Sequence, residues 1–282
     1  MRGRTCVVTG ASSGIGRATA RALAGLGADV VLVCRDVARS AAARADVAAA
    51  SAGGAVDVVL GDLAVQRDVR RVAAELLARF PALHVLVHNA GVVNLRHATT
   101  PDGIEVVFAV NHLAPFLLTH LLRDRLVASA PARVVTVASA AHQLGTIDFD
   151  DLGRARAYRW MPVYAQSKLA NVLFTYELAR RLAGTGVTAN CVHPGAVGTR
   201  LGQNNGRIAT ALTWLLRPLF RSAERGADTV VWLASAPDVA TVTGRYFVDR
   251  RPRTSSAASR DEALARRLWD VSARLTGIDA AA

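Results

Sequence analysis

Short apolar segments alternate with longer segments of helical periodicity, and this alternation limits the folds that the chain can adopt. The apolar segments are rich in valine and mostly lack polar alternation, as in strands covered on both faces. They are Thr5–Val8, Asp29–Cys34, Ala55–Leu60, His84–His88, Arg133–Ala138, Thr188–Val192 and Arg245–Val248. The helical segments are Gly14–Leu26, Val37–Ala50, Ala64–Phe80, Ile104–Ala128, Tyr164–Ala183 and Ser222–Ala234. Alternation of this kind predicts one doubly wound α/β domain over residues 1–282, with a seven-stranded parallel sheet and helices on both faces.

Two long connections interrupt the alternation. Residues 140–162 precede the fifth helical segment, and residues 202–221 contain an amphipathic stretch with Trp214 and Phe220. Because long connections in compact domains are usually lids or binding loops, we expect an inserted substrate loop at 140–162 and a substrate lid at 202–221. Contact of the second stretch with a membrane surface is the alternative, since arginines accompany its aromatic residues.

Composition narrows the class of protein. The hydrophobic content of 51 % argues against disorder, and the chain shows neither a signal peptide nor an apolar run approaching the roughly 20 residues of a membrane span. The net charge of +12 comes from arginines spread over many helices, which favours a solvated surface over a nucleic-acid site. Three widely spaced cysteines, Cys6, Cys34 and Cys191, form no metal or disulfide pattern. We therefore expect a soluble cytoplasmic protein with reduced thiols and no metal.

A glycine-rich turn follows the first predicted strand and opens the first helix. It reads Thr9-Gly10-Ala-Ser12-Ser13-Gly14-Ile15-Gly16, a spacing that departs from the common G-x-G-x-x-G form. Glycines permit a tight turn, and the helix N-terminus offers unpaired N–H groups and positive potential to a pyrophosphate. In this position the turn predicts dinucleotide binding in a domain of Rossmann type, with Gly10, Ser12, Ser13, Gly14, Ile15 and Gly16 at the cofactor.

The end of the second predicted strand carries the residues that decide the cofactor. Asp36 lies 20 residues after Gly16, where an acid would bind the ribose hydroxyls of NAD. Arg35 directly follows Cys34 and suits the 2′-phosphate of NADP. We favour NADP(H), with NAD(H) as the alternative. After the third strand, Asp62 and Leu63 are placed to contact the adenine, although Asp62 can also serve as the N-cap of the next helix.

Tyr164 and Lys168 share one helix face, because residues four apart lie one above the other. Lys168 is the only lysine among 34 basic residues, so the bias towards arginine was not followed here. An ammonium beside a phenol stabilises the phenolate and lowers its pKa from its ordinary value near ~10. The pair predicts general acid/base chemistry on an alcohol or carbonyl oxygen.

With these residues in view, the chain resembles the short-chain dehydrogenase/reductase family over roughly residues 4 to 278. The resemblance rests on the glycine turn, Asn89-Ala90-Gly91, Asn111, Ser139, Tyr164…Lys168 and Pro194-Gly195, in that order. More narrowly it is similar to the retinol-dehydrogenase-like branch, through Cys34-Arg35-Asp36, Asn111-His112-Leu113, Ser139-Ala-Ala-His142 and Leu268-Trp269-Asp270…Leu275-Thr276-Gly277. The branch also implies NADP over NAD.

The resemblance implies a role for each matching residue. Tyr164 would exchange the proton, Lys168 would lower the pKa of Tyr164 and hold the nicotinamide ribose, and Ser139 would hydrogen-bond the substrate oxygen. Asn111 would carry a water-linked proton path to Lys168. The remaining residues would contact the cofactor, with Thr199 at the carboxamide: Asn89, Ala90, Gly91, Pro194, Gly195, Val197 and Thr199. Ala138 stands where many relatives have a second serine.

The leading prediction is hydride transfer between NADP(H) and a small hydrophobic alcohol, ketone or aldehyde. Reduction of a carbon–carbon double bond on the same scaffold is an alternative, and a non-catalytic NADPH sensor is another. Ser139, Tyr164 and Lys168 together argue against the sensor. We expect a small molecule as the binding partner and not nucleic acid. We expect no transmembrane segment. A homo-oligomer is compatible with the sequence.

Several conspicuous residues have a structural interpretation. His142 and His193 adjoin the inferred site but are more typical of hydrogen-bonded scaffold residues than of catalysts. Trp269 is expected to anchor the last helix by packing. For Trp160 and Met161, beside the Tyr164 helix, a place in the pocket and a place outside it are equally favoured.

Overall fold

The computed structural model describes residues 1–197 and 221–279, and its centre is one eight-stranded sheet. The spatial order is β3-β2-β1-β4-β5-β6-β7-β8. The strands are β1 (Thr5–Thr9), β2 (Asp29–Cys34), β3 (Val56–Leu60), β4 (Val85–His88), β5 (Ala132–Val137), β6 (Val187–His193), β7 (Tyr246–Val248) and β8 (Arg251–Arg253). The first seven pair in parallel, which agrees with the predicted doubly wound α/β class.

The eighth strand corrects the predicted count of seven. Asp249 and Arg250 both adopt left-handed backbone conformations, with φ of 49° and 57°. This tight reversal lays Arg251–Arg253 antiparallel to β7. Two non-glycine residues in this conformation followed by exposed Arg-Pro-Arg are not a usual hairpin signal, so this strand could not be recognised from local residue types.

Seven main helices cover the sheet. They are α1 (Gly14–Gly25), α2 (Val37–Ala49), α3 (Gln66–Arg79), α4 (Val106–Ala128), α5 (Trp160–Arg181), α6 (Ala223–Ser235) and α7 (Glu262–Thr276), as far as residues 1–197 and 221–279 show. Within α4, Ala109–Leu113 is a π-helical turn between two α-helical parts. The six helices with predicted bounds agree with the structure to within a few residues, and no bounds were predicted for α7.

The largest boundary error concerns the helix of Tyr164. α5 begins at Trp160, so the predicted loop 140–162 ends at Arg159, the N-cap residue. Pro162 lies in the first turn of α5, where no intrahelical N–H partner is lost. The loop itself contains the short 3₁₀ turns Ala140–Leu144 and Ala155–Ala157. Of the predicted lid at 202–221, all but Arg221 lie outside the described residues.

The order of the strands creates the crevice in which ligands bind in such sheets. β1 pairs with β2 on one side and with β4 on the other, so the connections after β1 and β4 run in opposite directions. Ligands of open parallel sheets bind outside the carboxyl ends of the strands at this reversal. Thr9 and Asn89 stand at the two strand ends that border it.

α4 is long and apolar enough to cross a membrane, with a mean hydropathy of 1.3, which differs from the sequence expectation that no such run exists. However, 78 % of that apolar window is buried inside the domain. Its side chains, including Phe116, Leu117 and Leu118, pack into one of the main core clusters. The apolar surface of α4 is therefore used by the core.

Trp269 anchors α7 to the rest of the domain, as predicted. Its indole is 6 % exposed, stacks on Phe174 at a centroid distance of 6.0 Å and meets the edge of Phe116 at 4.8 Å. The guanidinium of Arg181 lies 4.4 Å from the indole centroid. This one side chain thus joins α4, α5 and α7.

We expect Trp269→Ala to lower the free energy of unfolding by about 3–5 kcal/mol, because it removes a large buried aromatic group and leaves a cavity. Urea unfolding followed by circular dichroism measures the change. Leu275→Ala, on the same helix but 38 % exposed, is the control and should cost less than about 1 kcal/mol. Equal losses in the two variants would contradict the anchoring role.

Candidate active site

A cleft of about 600 Å³ lies at the carboxyl ends of the parallel strands. It runs from the end of β2, past the N-terminus of α1, to the ends of β5 and β6. Its lining contains nearly every predicted site residue: Gly10, Ser12, Ser13, Gly14, Ile15, Arg35, Asp62, Leu63, Asn89, Ala90, Gly91, Ser139, Tyr164, Lys168, Pro194, Gly195 and Val197. Gly16 and Asn111 lie behind this lining, and Thr199 lies outside the described residues.

The N-terminus of α1 faces the middle of the cleft with its backbone amides uncapped. Ser13 is the N-cap residue, but its side chain makes no capping hydrogen bond and the first turn holds no acid. The first amides of a helix without such partners attract an anion. Ser12 and Ser13 add hydroxyl donors along the same wall.

Two glycines of the turn are fixed by steric contact. Gly10 has a φ of +66°, and a Cβ there would lie 2.8 Å from Cα of Ala90. A Cβ on Gly16 would lie 2.5 Å from the carbonyl oxygen of Gly10 and against the Asn89 amide. Gly16 therefore serves close packing behind the turn and does not line the cleft itself.

Asn89 joins the ends of β4 and β1. Its side-chain amide donates to the carbonyl oxygens of Thr9 at 2.9 Å and Gly10 at 3.3 Å. In return, Oγ1 of Thr9 accepts the backbone N–H groups of Asn89 and Ala90 at 3.0 and 3.1 Å. Asn89 thus holds the glycine turn in place as well as bordering the cleft.

At the adenosine end, Arg35 faces the cleft beside Asp62. Nη1 of Arg35 lies 3.6 Å from Oδ2 of Asp62, and both side chains are partly exposed. The suggestion that Asp62 caps the next helix is wrong, because α3 begins at Gln66 with Val65 as its N-cap residue. Oδ1 of Asp62 instead accepts the N–H of Ala64 in a local turn.

Asp36 is the N-cap residue of α2. Its Oδ1 accepts the N–H of Arg39 at 2.8 Å, and its Oδ2 accepts from Nη2 of Arg39 at 3.2 Å. These bonds hold the pKa of Asp36 below its ordinary value. Arg39 also lines the cleft, which the sequence reasoning missed. The signal was available, since Arg39 is three residues after a capping acid.

Tyr164, Lys168 and Ser139 meet at the opposite end of the cleft. Nζ of Lys168 is buried, donates to the carbonyl oxygen of Val137 at 2.9 Å and lies 5.7 Å from the centroid of the Tyr164 ring. Ser139 follows β5, and the proximity of its side chain favours the ionised form of the Tyr164 phenol. Oγ of Ser139 accepts the N–H of Ala141 at 3.2 Å.

The electrostatics of this group differ from the predicted direction. Burial raises the pKa of Tyr164, and Ser139 offsets only part of that rise. Burial also lowers the pKa of Lys168 to about 8. The ammonium donates to a backbone carbonyl at the end of β5 instead of the phenol oxygen. In this arrangement desolvation determines the direction of the pKa shift of both groups.

Asn111 lies in the π-helical turn of α4 and is fully buried. Its Oδ1 accepts the N–H of Val92 at 2.8 Å, and its Nδ2 donates to the carbonyl oxygen of Val92 at 3.1 Å. The same Nδ2 donates to Oγ of Ser167 at 3.0 Å, one residue before Lys168. Asn111 therefore ties the wall after β4 to α5, and its part in a proton path stays a prediction.

His142 behaves as a scaffold residue. Its Nδ1 is 2.7 Å from the carbonyl oxygen of Ser139, and its Nε2 accepts the N–H of Ser256 at 3.2 Å. His193 lines the cleft, but its buried Nδ1 has no hydrogen-bond partner among the described residues. Trp160 and Met161, 41 % and 39 % exposed, lie outside the described lining of the cleft.

These donors fit a nicotinamide dinucleotide. The uncapped α1 amides with Ser12 and Ser13 suit a pyrophosphate, and Arg35 stands where the adenosine would end. Tyr164 and Lys168 stand at the other end, beside the lining residues Pro194, Gly195 and Val197. Residues 1–197 and 221–279 contain no cluster of three His, Cys, Asp or Glu side chains that could hold a metal.

Comparison with known proteins decides the family. A family model described as short chain dehydrogenase matches residues 4–208. The chain belongs to this family. Human retinol dehydrogenase 13 is 44 % identical over 284 residues, which span 99 % of this chain and 86 % of that protein. The predicted likeness to the family and to its retinol-dehydrogenase-like branch is confirmed, and the protein is an oxidoreductase of this family.

Solved structures agree in fold. An uncharacterised protein from Mycobacterium paratuberculosis has 36 % identity and a TM-score of 0.79, covering 99 % of this chain and 95 % of that one. A short chain dehydrogenase from Burkholderia cenocepacia J2315 in complex with NADP has 28 % identity and a TM-score of 0.69, covering 87 % and 96 %. The predicted fold class is thereby confirmed.

Lys168→Met should reveal the cost of burying the only lysine. Burial lowers the pKa of Lys168 from 10.5 to about 8 in the folded protein. The buried charge therefore destabilises folded wild type, and this penalty is largest below pH 8. The penalty falls as pH rises from about 8 towards 10.5. The stability of the Met variant relative to wild type should therefore decrease by about 2 kcal/mol between pH 7 and 9.5.

Urea unfolding of both proteins at the two pH values measures this change. Other titrating groups are common to both proteins and cancel in the difference. A difference that stays constant with pH would mean that Lys168 keeps an ordinary pKa in the folded protein.

Proposed function

We propose that the protein transfers hydride between NADP(H) and a small hydrophobic alcohol, ketone or aldehyde, with Tyr164 as the general acid/base. The carrying observation is that Tyr164, Ser139 and the buried Lys168 line one end of the dinucleotide cleft together, with Nζ of Lys168 5.7 Å from the centroid of the Tyr164 ring. The retinol dehydrogenases among its relatives support an alcohol or carbonyl substrate by their names.

Each side chain has a definite task in this proposal. When bound, the nicotinamide supplies or accepts the hydride. The hydroxyls of Tyr164 and Ser139 would donate hydrogen bonds to the substrate oxygen, and Tyr164 would give or take the proton there. Because burial raises its pKa, Tyr164 stays protonated at neutral pH, which suits proton donation to a carbonyl. Lys168 would stabilise the phenolate left behind and hold the nicotinamide ribose.

Part of the cleft lining supports a hydrophobic substrate. Val92, Val110, Val137 and Ala138 line the same cleft as Ser139 and Tyr164. In a mostly apolar pocket, a few polar groups fix the orientation of the ligand.

The three cysteines are buried and free of disulfides, which supports our proposal of a reducing, cytoplasmic location.

Tyr164→Phe should reduce turnover by at least about 10²-fold, because the proton donor is lost, while the Kd of NADPH stays within about twofold. Stopped-flow or steady-state oxidation of NADPH measures the first value, and fluorescence titration the second. Tyr176→Phe is the matched control, since Tyr176 lies on the same helix and bonds Ser255. Unchanged turnover in Tyr164→Phe would refute the assigned role.

A panel of aldehydes, ketones and enones with NADPH would identify the reaction class. Carbonyl reduction is the expected outcome. Reduction of the enone double bond alone would favour the alternative reductase, and wild-type protein that binds NADPH but turns over none of the panel would favour the sensor.

Wild-type protein should bind NADP⁺ at least about tenfold more tightly than NAD⁺, because Arg35 can form charge-assisted hydrogen bonds to a 2′-phosphate. Isothermal titration calorimetry gives both constants. Arg35→Ala should weaken NADP⁺ binding by a similar factor and leave NAD⁺ almost unchanged. Tighter binding of NAD⁺ by wild type would reverse the proposed cofactor. The NADP complex of the Burkholderia cenocepacia relative supports the proposal.

A further inference from the structure

A second cavity of about 480 Å³ lies beside the cleft, between the 3₁₀ turn after β5 and the hairpin of β7 and β8. Ala140 and His193 line both the cleft and this second cavity. Ala140 directly follows Ser139, so the second cavity begins next to the residue assigned to the substrate oxygen. A ligand whose reacting carbon lies at Ser139 can therefore extend into it.

The lining of the second cavity combines apolar surface with a few polar groups. Its apolar part comes from Tyr246, Val248 and Pro252. Gln143 and Thr254 contribute neutral hydrogen-bonding groups, and Arg253 contributes a guanidinium. No acidic side chain belongs to this lining within residues 1–197 and 221–279. Such a wall favours a ligand with an apolar body and an anionic group.

The guanidinium of Arg253 is available to such a ligand. Arg253 is exposed, and its side chain makes no ion pair or hydrogen bond within the described part of the chain. Two acids close to the hairpin are engaged by other arginines, Asp249 by Arg221 and Asp228 by Arg250. Neither carboxylate is therefore left to neutralise Arg253.

The geometry of the sheet sets the length of a ligand that would reach Arg253. Ser139 follows β5, and β6, β7 and β8 come next across the sheet. Neighbouring strands lie ~4.8 Å apart, so β8 is roughly 14 Å from β5. Arg253 is in register with Tyr246 on β7, and the long side chain of an arginine covers part of that distance. A chain of medium length would therefore span from Ser139 to the guanidinium.

We propose that the second cavity binds a carboxylate at the far end of the substrate, with Arg253 as its principal partner. This inference rests on the proposed hydride transfer at Tyr164. It narrows the substrate to an apolar chain with an alcohol or carbonyl at one end and a carboxylate at the other. A guanidinium matches a carboxylate through two parallel hydrogen bonds. Gln143 and Thr254 would add neutral donors.

The test compares two aldehydes of equal chain length, azelaic semialdehyde and its methyl ester, as substrates with NADPH. Wild type should reduce the acid with a kcat/KM at least about tenfold above that of the ester, because only the acid forms a charge-assisted pair. Arg253→Ala should bring this ratio to within about twofold of one, through a higher KM for the acid at nearly constant kcat. Arg253→Lys, which keeps the charge without the planar fork, should retain part of the ratio.

Arg251→Ala is the matched control for loss of one arginine from the hairpin. Arg251 lies on the same strand, is also exposed and also makes no ion pair with a described residue, but it does not line the second cavity. Its removal should leave the ratio of acid to ester unchanged within about twofold. Melting temperatures within a few degrees of wild type show that each variant is folded.

Equal kcat/KM values for the acid and the ester in wild type would overturn the inference, as would a preference for the acid that persists in Arg253→Ala. Isothermal titration calorimetry of both aldehydes with the NADP⁺-loaded protein tests the second cavity without turnover. Here too the acid should bind about tenfold more tightly than the ester, and equal Kd values would refute the carboxylate site. Failure of the proposed function appears differently, as no oxidation of NADPH with either aldehyde.

Discussion

The junction between Thr9 and Asn89 is the constraint on which the rest of the site depends. Four hydrogen bonds at Thr9 and Asn89 join the ends of β1 and β4. The direction of the strand connections reverses between these two strands. The junction leaves no room for a side chain at Gly10 or Gly16. Because both glycines pack tightly, α1 starts close beneath the crevice and its free amides face the cleft. The anion site is therefore a consequence of how two strands end.

Features with a local cause could be predicted from the sequence, and features that depend on tertiary contacts could not. Valine-rich strands, the glycine turn and the Tyr164–Lys168 spacing each follow from backbone geometry, and the structure brings these residues into one cleft. The eighth strand depends on two non-glycine residues in left-handed conformation, which have no clear periodic signal.

The chemistry of Tyr164 and Lys168 shows the same division. Their spacing places the two side chains on one helix face, but it does not predict how deeply they are buried. Burial raises the pKa of the phenol and lowers the pKa of the amine. The carbonyl oxygen of Val137 then accepts one of the three N–H groups of the ammonium at 2.9 Å. A compact ammonium fits a single carbonyl in a buried site, whereas a guanidinium has five donors to satisfy.

The larger number of donors on a guanidinium also gives some arginines a structural role. Several arginines donate to backbone carbonyls at the ends of elements. Arg133, half-buried, donates to the oxygens of Leu233 and Ala236 at the end of α6, and Arg70 donates to Thr276 at the end of α7. The last carbonyls of a helix lack intrahelical partners and carry negative potential. Arg70 and Arg133 thus stabilise helix ends, whereas Lys168 lines the cleft.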